Sequence, residues 1–368
     1  MSLETLVKRE DLLKPLQAIN SVVEKKQASS ILSNVLLATS PNQLRLTGTD
    51  HEIEVVGFVP VDPLTQVGET TVSARKLFDI CRALPERAMI SLMQTGNNLH
   101  VKAHGSCFKL NTLPPDDFKS LEEENYHTQS RIKQAHLQQL LTKTYFAMAQ
   151  QDVRHYLNGV CIDITPHAIT CIAMDGHRLA LATSTDGMAE AVSARVILPR
   201  KSVLELMRLL EKEAEEAQIE IGDNRLKVTT PDFIFTSKLI HASYPDYHRL
   251  IQKGSFVVTG NRDTIKQALA RAAILSSEKL RGVRVQLAAG QLIVTANNTD
   301  QEQAEEIVPV AYDGEPLEIG FNVLYLLDAL ASLTSETIRC YFHGPDAGLL
   351  IESAEESGAL YLIMPMRL

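Results

Sequence analysis

A carboxylate and an imidazole stand two residues apart in the middle of the chain, at Asp175 and His177. Such a pair could act as general acid and base or as metal ligands, with Asp50 or Asp300 as a further carboxylate. Asp-Gly-His after a β-rich run is also typical of a turn, because Asp bonds to nearby backbone amides and Gly accepts a positive φ. The same residues therefore support a hydrolase hypothesis and a structural one.

The three aspartates mark an internal repeat. Asp50, Asp175 and Asp300 are separated by 125 residues each (175 − 50 and 300 − 175). Each follows two β-rich runs joined by a turn, as in NVLLATSPNQLRLTGTD. The period exceeds the roughly 20 to 50 residues of solenoid repeats. It predicts three repeated domains, with these aspartates at equivalent turns.

The repeat argues against an enzyme. At the position of His177 the other two copies carry Glu52 and Glu302, so the three turns share no catalytic set. The sequence contains no Gly-rich phosphate loop, no H-E-x-x-H and no G-x-S-x-G. We therefore expect a protein without catalytic residues.

Each repeat has the same order of candidate elements. Apolar residues at helical spacing predict helices within 8–26, 74–84, 131–148, 200–212, 262–275 and 321–334. Pro15 falls inside the first pattern and is expected to move the helix start to a later residue. The remaining apolar runs alternate with period two and predict about eight strands per repeat. The expected fold class is α+β, with two helices packed on antiparallel sheet in each of three domains.

Composition restricts the class of protein further. Of the 368 residues, 45% are hydrophobic and 22% are charged, as in globular proteins. The first residues, MSLETLVKRE, lack the apolar run of a secretory signal. The five cysteines are odd in number and never occur as C-x-x-C. These features predict a cytoplasmic protein with reduced thiols, no metal and no cofactor.

The charge is unevenly distributed along the chain. The net charge is −9, yet the six helical segments hold 18 Lys or Arg against 8 Asp or Glu. Basic helices within an acidic body suit a protein that surrounds a polyanion, and scattered cations contact DNA phosphates without reading sequence. Neither zinc-binding spacings nor an evident helix-turn-helix or RNP signature is present. The pattern favours double-stranded DNA, bound independently of sequence. A plain interaction scaffold would leave the basic helices unexplained.

From REDLLKPL through QDVRHYLNG, DGHRLA, PRKSVLELMR and FIFTSKL to MPMRL, the whole chain resembles the bacterial sliding clamp, the β subunit of DNA polymerase III. The resemblance implies the DNA clamp fold, with domains at 1–125, 130–252 and 253–368. Two chains would join head to tail in a ring lined by helices, each chain forming half of it. The implied function is to encircle duplex DNA and tether polymerases, which confers processivity in replication without catalysis.

The resemblance also implies sites for DNA and for the second chain. DNA contacts would be Lys26, Gln151, His155, Tyr156, Arg200 and Lys201. In the homodimer, Lys76, Phe108 and Leu110 of one chain would meet Ile274, Leu275, Asp300, Glu302, Glu305 and Glu306 of the next. Lys26 stands where the family has Arg, and His155 where Tyr is usual. From the residues alone, the acidic run fits a solvated strand edge equally well.

A third implied site is a groove between domains 2 and 3 for short linear motifs of partner proteins. These partners would be the polymerase III alpha subunit, the clamp-loader delta subunit, other polymerases, and clients of the mismatch-repair and ligase type. The groove residues would be Leu157, Met174, Gly176, His177, Arg178, Leu179, Pro245, Arg249, Leu250, Leu362, Met364, Pro365, Met366 and Arg367. Met174 stands where Thr is usual. A flexible Met-Pro-Met segment suits an adaptable apolar pocket, although a frayed terminus gives the same pattern.

Overall fold

The computed structural model of the chain describes residues 3–23, 31–61, 66–185, 193–210, 215–356 and 358–367. Within these ranges the chain forms six α-helices and 24 β-strands. None of the helices in the described ranges is long and apolar enough to cross a membrane.

The three thirds of the chain contain the same elements in the same order. The first contains β1 (Glu4–Lys8), α1 (Arg9–Val22), β2 (Asn34–Ser40), β3 (Gln43–Thr49), β4 (Ile53–Pro60), β5 (Glu69–Ser73), α2 (Ala74–Ala83), β6 (Met89–Thr95), β7 (Asn98–Ala103) and β8 (Ser106–Leu113). The second contains β9 (Thr128–Lys133), α3 (Gln134–Thr142), β10 (Gly159–Thr165), β11 (Ala168–Met174), β12 (Arg178–Ser184), β13 (Ala194–Pro199), α4 (Arg200–Leu209), β14 (Glu216–Ile221), β15 (Arg225–Thr229) and β16 (Phe233–Lys238). The third contains β17 (Phe256–Asn261), α5 (Arg262–Ala273), β18 (Gly282–Ala288), β19 (Gln291–Asn297), β20 (Gln303–Pro309), β21 (Leu317–Asn322), α6 (Val323–Ser332), β22 (Thr337–Phe342), β23 (Leu349–Ser353) and β24 (Ala359–Ile363).

Strand pairing repeats as well. The first third has the ladders β1-β6-β7-β8 and β5-β2-β3-β4, and the other two thirds have the corresponding ladders at corresponding places. The ladders are antiparallel throughout. The predictions of an α+β fold, of three topologically equivalent domains, and of two helices with about eight strands in each are confirmed.

The chain nevertheless divides into two compact units. One is Met1–Ala135 with Leu204–Leu239, and the other is His136–Val203 with Ile240–Leu368. Sheet hydrogen bonding crosses the domain boundaries, because β4 pairs with β16 in the first unit and β12 pairs with β24 in the second. These two strand pairs are called seam 1 (β4 with β16) and seam 2 (β12 with β24).

The expectation for Pro15 was wrong. Helix α1 begins at Arg9 and continues through Pro15, burying Leu12, Leu16 and Ile19 on one face. Gly57 on β4 lets the helix approach the sheet closely at Pro15, because a Cβ at residue 57 would lie 2.4 Å from the Pro15 Cβ. The helix therefore continues through its proline and packs against β4 at this point.

The equivalence of the three aspartates is confirmed for two of them. Asp50 Oδ1 accepts hydrogen bonds from the amides of Glu52 (2.9 Å) and Ile53 (2.7 Å). Asp175 Oδ1 does the same for His177 and Arg178, both at 2.9 Å. In both turns the side chain closes the backbone, as an Asx turn does.

In the third domain the closing residue is Asn298 and not Asp300. Asn298 Oδ1 accepts from the amides of Asp300 (3.0 Å) and Glu302 (2.9 Å). The Asn298 amide bonds to the carbonyl four residues later, whereas Asp50 and Asp175 bond three residues later. The turn is thus one residue longer than the other two. Asp300 lies 125 residues after Asp175 by coincidence, because the structural equivalent of Asp175 is Asn298.

Candidate functional site

The segment before β10 is a loop closed by Asn158. The Asn158 side chain donates to the Asp152 carbonyl at 2.8 Å and accepts from the Asp152 amide at 2.9 Å. Gln151 has a positive φ of 58° just before this closure, and its side chain is exposed. The closure fixes Gln151, His155 and Tyr156 on one short loop.

Arg154 at the same loop is neutralised within the chain. Its guanidinium donates to both Asp152 carboxylate oxygens, at 3.0 and 2.9 Å. These hydrogen bonds lower the pKa of Asp152 to about 2. Arg154 therefore serves the loop geometry, and the neighbouring Val153 stays 88% exposed.

Helix α4 begins beside this loop. The Arg200 amide donates to the Asn158 carbonyl at 2.9 Å, and the Arg200 guanidinium donates to the Met148 carbonyl at 3.4 Å. Lys201 follows with an exposed side chain. The structure thus brings together five of the six predicted DNA residues, and this group is called the loop patch: Gln151, His155, Tyr156, Arg200 and Lys201. Lys26, the sixth, lies outside the described residues.

The excess of basic residues belongs to particular helices. Helices α2, α4 and α5 each carry three Lys or Arg and one Asp or Glu. Helix α3 carries none of these four residue types, and α6 carries only Asp328. The sequence-based charge argument therefore applies to three helices, one in each domain.

A buried apolar cluster lies under seam 2. It consists of Ala149, Leu157, Cys161, Ile172, Met174, Leu179, Ile197, Tyr244, Tyr247, Tyr341, Leu350 and Leu362. Four of these were predicted groove residues. Leu179 and Leu362 stand directly opposite each other in the pairing of β12 with β24. The seam thus has an apolar pair at this end.

The segment after β16 packs onto the cluster through its aromatic residues. Tyr244 and Tyr247 are buried, and Pro245 between them is half-buried. Burial raises the pKa of Tyr247 to about 12. Arg249 and Leu250 follow with exposed side chains, Leu250 being 45% exposed. The segment therefore places an exposed apolar residue beside a buried aromatic anchor.

Arg178 connects this region to helix α6. Its guanidinium donates to Asp175 Oδ2 at 3.1 Å and to Asp328 Oδ2 at 2.6 Å. It also lies 4.4 Å from the centre of the Tyr325 ring, on which His177 stacks. Arg178 is thus engaged within the chain, while His177 and Gly176 are exposed.

Sequence reasoning missed Tyr325 and Asp328. They lie about 150 residues from Arg178 along the chain, and only the tertiary fold makes them neighbours. An apolar helix with a single carboxylate, at Asp328, was the one available signal.

The C-terminal segment is held in place, contrary to the frayed-terminus alternative. The Met364 amide donates to the His177 carbonyl at 2.8 Å, and the Met366 amide donates to the Gly320 carbonyl at 2.9 Å. Met364 remains 40% exposed. Pro365 and Met366 are half-buried, and Arg367 is exposed. This segment therefore borders the apolar cluster as an ordered edge.

The nine predicted dimer residues form two groups, both at accessible positions. Lys76 lies on α2, and Phe108 and Leu110 lie on β8, all in the first unit. The second unit holds the remaining six: Ile274, Leu275, Asp300, Glu302, Glu305 and Glu306. All nine are exposed or half-buried in the single chain, and Ile274 is 77% exposed.

The strands that carry these groups have open edges. Strand β20 pairs only with β19, and the part of β8 from 106 to 111 pairs only with β7, as far as the described residues go. Glu306 is already bound within its chain, because the Arg271 guanidinium donates to both carboxylate oxygens at 2.8 and 2.6 Å. These hydrogen bonds lower the pKa of Glu306.

The acid and base of the hydrolase hypothesis have other partners. The Asp175 carboxylate closes its turn and binds Arg178. The His177 ring stacks on Tyr325 with centroids 6.5 Å apart. Within the described ranges, no three His, Cys, Asp or Glu side chains are grouped as a metal site would require. The arrangement is that of a structural turn.

Comparison with known proteins gives matches along the whole chain. Residues 3–122, 131–246 and 250–367 match the N-terminal, central and C-terminal domains of the DNA polymerase III beta subunit. The beta sliding clamp of Pseudomonas putida is 46% identical over 98% of this chain and 99% of that protein. The Escherichia coli K12 beta sliding clamp is 44% identical over the same shares of the two chains.

Solved structures agree with the sequence matches. A sliding clamp from Pseudomonas aeruginosa bound to griselimycin has a TM-score of 0.97 at 44% identity, covering 100% of both chains. A Caulobacter crescentus beta sliding clamp has a TM-score of 0.94 at 32% identity, also covering 100% of both chains. The chain therefore belongs to the DNA polymerase III beta subunit family, the beta sliding clamps.

Proposed function

We propose that two copies of this chain close head to tail into a ring around duplex DNA and hold client proteins on it. Membership of the family makes the chain a non-catalytic processivity clamp of DNA polymerase III. The observation that supports the ring is the internal repeat: two of its three equivalent strand pairs are closed as seams 1 and 2, and the strands of the third pair, β20 and β8, do not pair with each other in the described residues. A head-to-tail contact that closes by rotation gives a ring.

The repeat also gives a register for the contact of β20 of one copy with β8 of the other, which is called the third seam. In seam 1, Val55 stands opposite Phe235, and in seam 2, Ala180 stands opposite Tyr361. Ala304 holds the equivalent position on β20, since its neighbour Ala296 corresponds to the neighbours of Val55 and Ala180.

Phe108 is the equivalent on β8. It stands opposite Val101, as Phe235 stands opposite Val228 and Tyr361 opposite Ile351. The third seam would therefore pair Ala304 with Phe108 of the other copy. Glu305 would then face Cys107, because antiparallel partners run in opposite directions.

Burial supports the same arrangement. Phe235 and Tyr361 are 0% and 1% exposed in their seams, while the equivalent Phe108 is half-buried in the single chain. Burying a large aromatic side chain stabilises by roughly 1.5 to 3 kcal/mol. A second copy would complete this burial. The exposed Ile274 directly follows α5, whose Arg271 binds Glu306 on β20.

The register is tested by cross-linking at the native Cys107. In Glu305→Cys, the new thiol faces Cys107 of the other copy, and oxidation should give a covalent dimer in denaturing gels. The matched control is Glu306→Cys, whose side chain points to the opposite face and lies opposite Ser106 in this register. The double variant Glu305→Cys/Cys107→Ser should give none. Equal yields from both single variants would contradict the register, and a strict monomer at micromolar concentration would contradict the ring.

We further propose that the loop patch contacts DNA phosphates. It combines Arg200 and Lys201 with the polar side chains of Gln151, His155 and Tyr156. Lys26 is proposed as a further contact from its position in the sequence. Contacts of this kind hold the duplex weakly, so that the ring slides while topology prevents loss.

We propose that seam 2 provides the groove for client peptides. Its apolar pair, Leu179 and Leu362, has no counterpart in seam 1, where the same positions are Glu54 and Thr236. The proposed clients are the polymerase III alpha subunit, the clamp-loader delta subunit, other polymerases, and mismatch-repair and ligase-type proteins. Griselimycin, which was bound in the Pseudomonas aeruginosa structure, is proposed as a ligand of this chain too.

Domain limits of 1–125, 130–252 and 253–368 are proposed on the strength of the repeated element order. A cytoplasmic location is proposed because the family works on replicating DNA.

A further inference from the structure

The outer face of the third seam differs in chemistry from that of seams 1 and 2. One residue along from the pair Val55–Phe235, seam 1 places Val56 opposite Ile234. One residue along from the pair Ala180–Tyr361, seam 2 places Leu181 opposite Leu360. Both intrachain seams thus use an aliphatic pair at this position. The equivalent pair in the third seam is Glu305 with Cys107 of the other copy, a carboxylate facing a thiol.

Two lysines surround Cys107 on its own sheet. Lys102 stands directly opposite Cys107 in the pairing of β7 with β8, and Lys109 lies two residues along β8. Both lysines are exposed, whereas Val101, which precedes Lys102 on β7, is fully buried. Successive side chains of a strand point to opposite faces. Lys102, Cys107 and Lys109 therefore share the outer face.

Glu305 is on the outer face of its own sheet as well. Its cross-strand neighbour Thr295 is half-buried, whereas Val294 and Ala296 on either side of Thr295 are buried. In the third seam Lys109 of the other copy would lie diagonal to Glu305, at roughly 7 to 8 Å between backbones, which long side chains can span. Lys102 would lie one strand further, behind the small Cys107 side chain.

Resting on the proposed ring, we infer that Glu305 of one copy pairs with Lys102 and Lys109 of the other, so that charge holds the outer face of the third seam where the intrachain seams use aliphatic packing. Neither lysine is among the interface residues that sequence resemblance implies. Exposed ion pairs weaken as salt screens them, while aliphatic contacts do not. Salt or a change of charge can therefore open the third seam, between the copies. Seams 1 and 2, within each copy, stay closed.

A charge-swap series tests the pairing in the full-length chain. The variants are Glu305→Lys, the double variant Lys102→Glu/Lys109→Glu, and the triple variant that combines them. Dimer dissociation is measured by sedimentation at about 0.05 M and about 0.5 M salt, where screening lengths differ severalfold. We expect each of the first two to raise the Kd on the order of tenfold at low salt, because a ring contains two such seams. The triple variant should recover most of that loss.

Lys119→Glu is the matched control. The Lys119 side chain is exposed and lies outside β7 and β8, and this variant reverses the charge of one lysine, as each substitution at Lys102 and Lys109 does. It should leave the Kd unchanged. Glu305→Val/Cys107→Ile, which rebuilds the aliphatic pair, should give a dimer whose Kd rises less with salt than that of the wild type, although Lys76, Asp300, Glu302 and Glu306 remain in the proposed interface. If reversal of the lysines unfolds the chain, as judged by circular dichroism, Lys102→Gln/Lys109→Gln replaces it.

The outcomes separate this inference from the ring itself. A wild-type chain that stays monomeric overturns the ring. If the wild type is a dimer but Glu305→Lys and Lys102→Glu/Lys109→Glu leave its Kd unchanged, the pairing of Glu305 is overturned and the ring is not. The same holds if the triple variant does not recover the wild-type Kd.

Discussion

At the scale of single residues, one strand position takes three different roles in the three domains. It is Glu54 in seam 1, Leu179 in seam 2 and Gln303 on the open edge of β20. Glu54 is only 7% exposed, and its carboxylate accepts a hydrogen bond from the Leu121 amide at 2.9 Å. The carboxylate thus ties down the segment that follows β8. Leu179 has no such group and leaves its seam apolar.

Glu54 gives a prediction for pH dependence. Burial raises the pKa of its carboxyl above the ordinary value. A raised folded pKa stabilises the chain fully at pH below the ordinary value, and this contribution is lost as the pH rises through the folded pKa. Glu54→Gln keeps an oxygen for the Leu121 amide and removes the buried charge. We expect its Tm to exceed that of the wild type by on the order of 2 to 4 °C at neutral pH and to match it in acid.

Thermal unfolding followed by circular dichroism between acid and neutral pH measures this difference. Glu52→Gln is the control, since Glu52 is exposed and ion-paired with Lys238 at 3.1 Å. It should show no rise in Tm. A Glu54→Gln Tm below the wild-type value at neutral pH would mean that the charged hydrogen bond outweighs the cost of burial.

At the scale of elements, the C-terminal segment after β24 lies outside the strand pairing of its sheet. Two backbone hydrogen bonds, from Met364 and Met366, hold it beside the seam 2 cluster. Strand β24 itself is buried and paired on both sides, with β12 and β23. The segment can therefore be removed without unpairing the sheet.

Deletion of Met364 to Leu368 should weaken binding of a client peptide by more than tenfold, because the proposed groove would lose one apolar wall. The measurement is fluorescence anisotropy with a labelled peptide from the polymerase III alpha subunit. Met89→Ala is the control, since Met89 is 45% exposed and lies on β6 in the other unit. An unchanged affinity in a folded, dimeric deletion variant would show that this segment is not part of the groove.

At the scale of the whole molecule, topology and contact make different predictions for DNA. The net charge of −9 opposes general attraction to DNA, whereas α2, α4 and α5 each carry more Lys and Arg than Asp and Glu. A ring retains DNA by enclosure, so its lifetime on a closed circle should not depend on the number of phosphate contacts. An ordinary binder depends on them steeply.

The chain loaded on nicked circular duplex should persist there and leave within seconds to minutes once the circle is cut. Gel filtration before and after linearisation measures the retained fraction. Arg200→Ala/Lys201→Ala is the informative companion, because it removes two cations of the loop patch and should leave retention on circles intact. Equal retention on circles and on linear DNA would contradict enclosure.

Sequence alone determined the repeat, the α+β class and the basic helices, because hydrophobic periodicity and residue charge are local properties of the chain. It could not distinguish Asn298 from Asp300, since both lie in one turn and only the backbone hydrogen bonds show which side chain closes it. Nor could it show that Pro15 lies inside α1, or that Gly57 of a distant strand packs against it.

The tertiary structure decided what distant residues do together. Arg178 at the start of β12 meets Asp328 and Tyr325 of α6 in one unit. Glu54 is buried in seam 1, opposite Thr236, and accepts a hydrogen bond from the Leu121 amide. The register of seams 1 and 2 likewise follows from backbone pairing over more than a hundred residues. Such pairings depend on loop closure and on complementary packing between elements, and short-range sequence patterns carry no record of either.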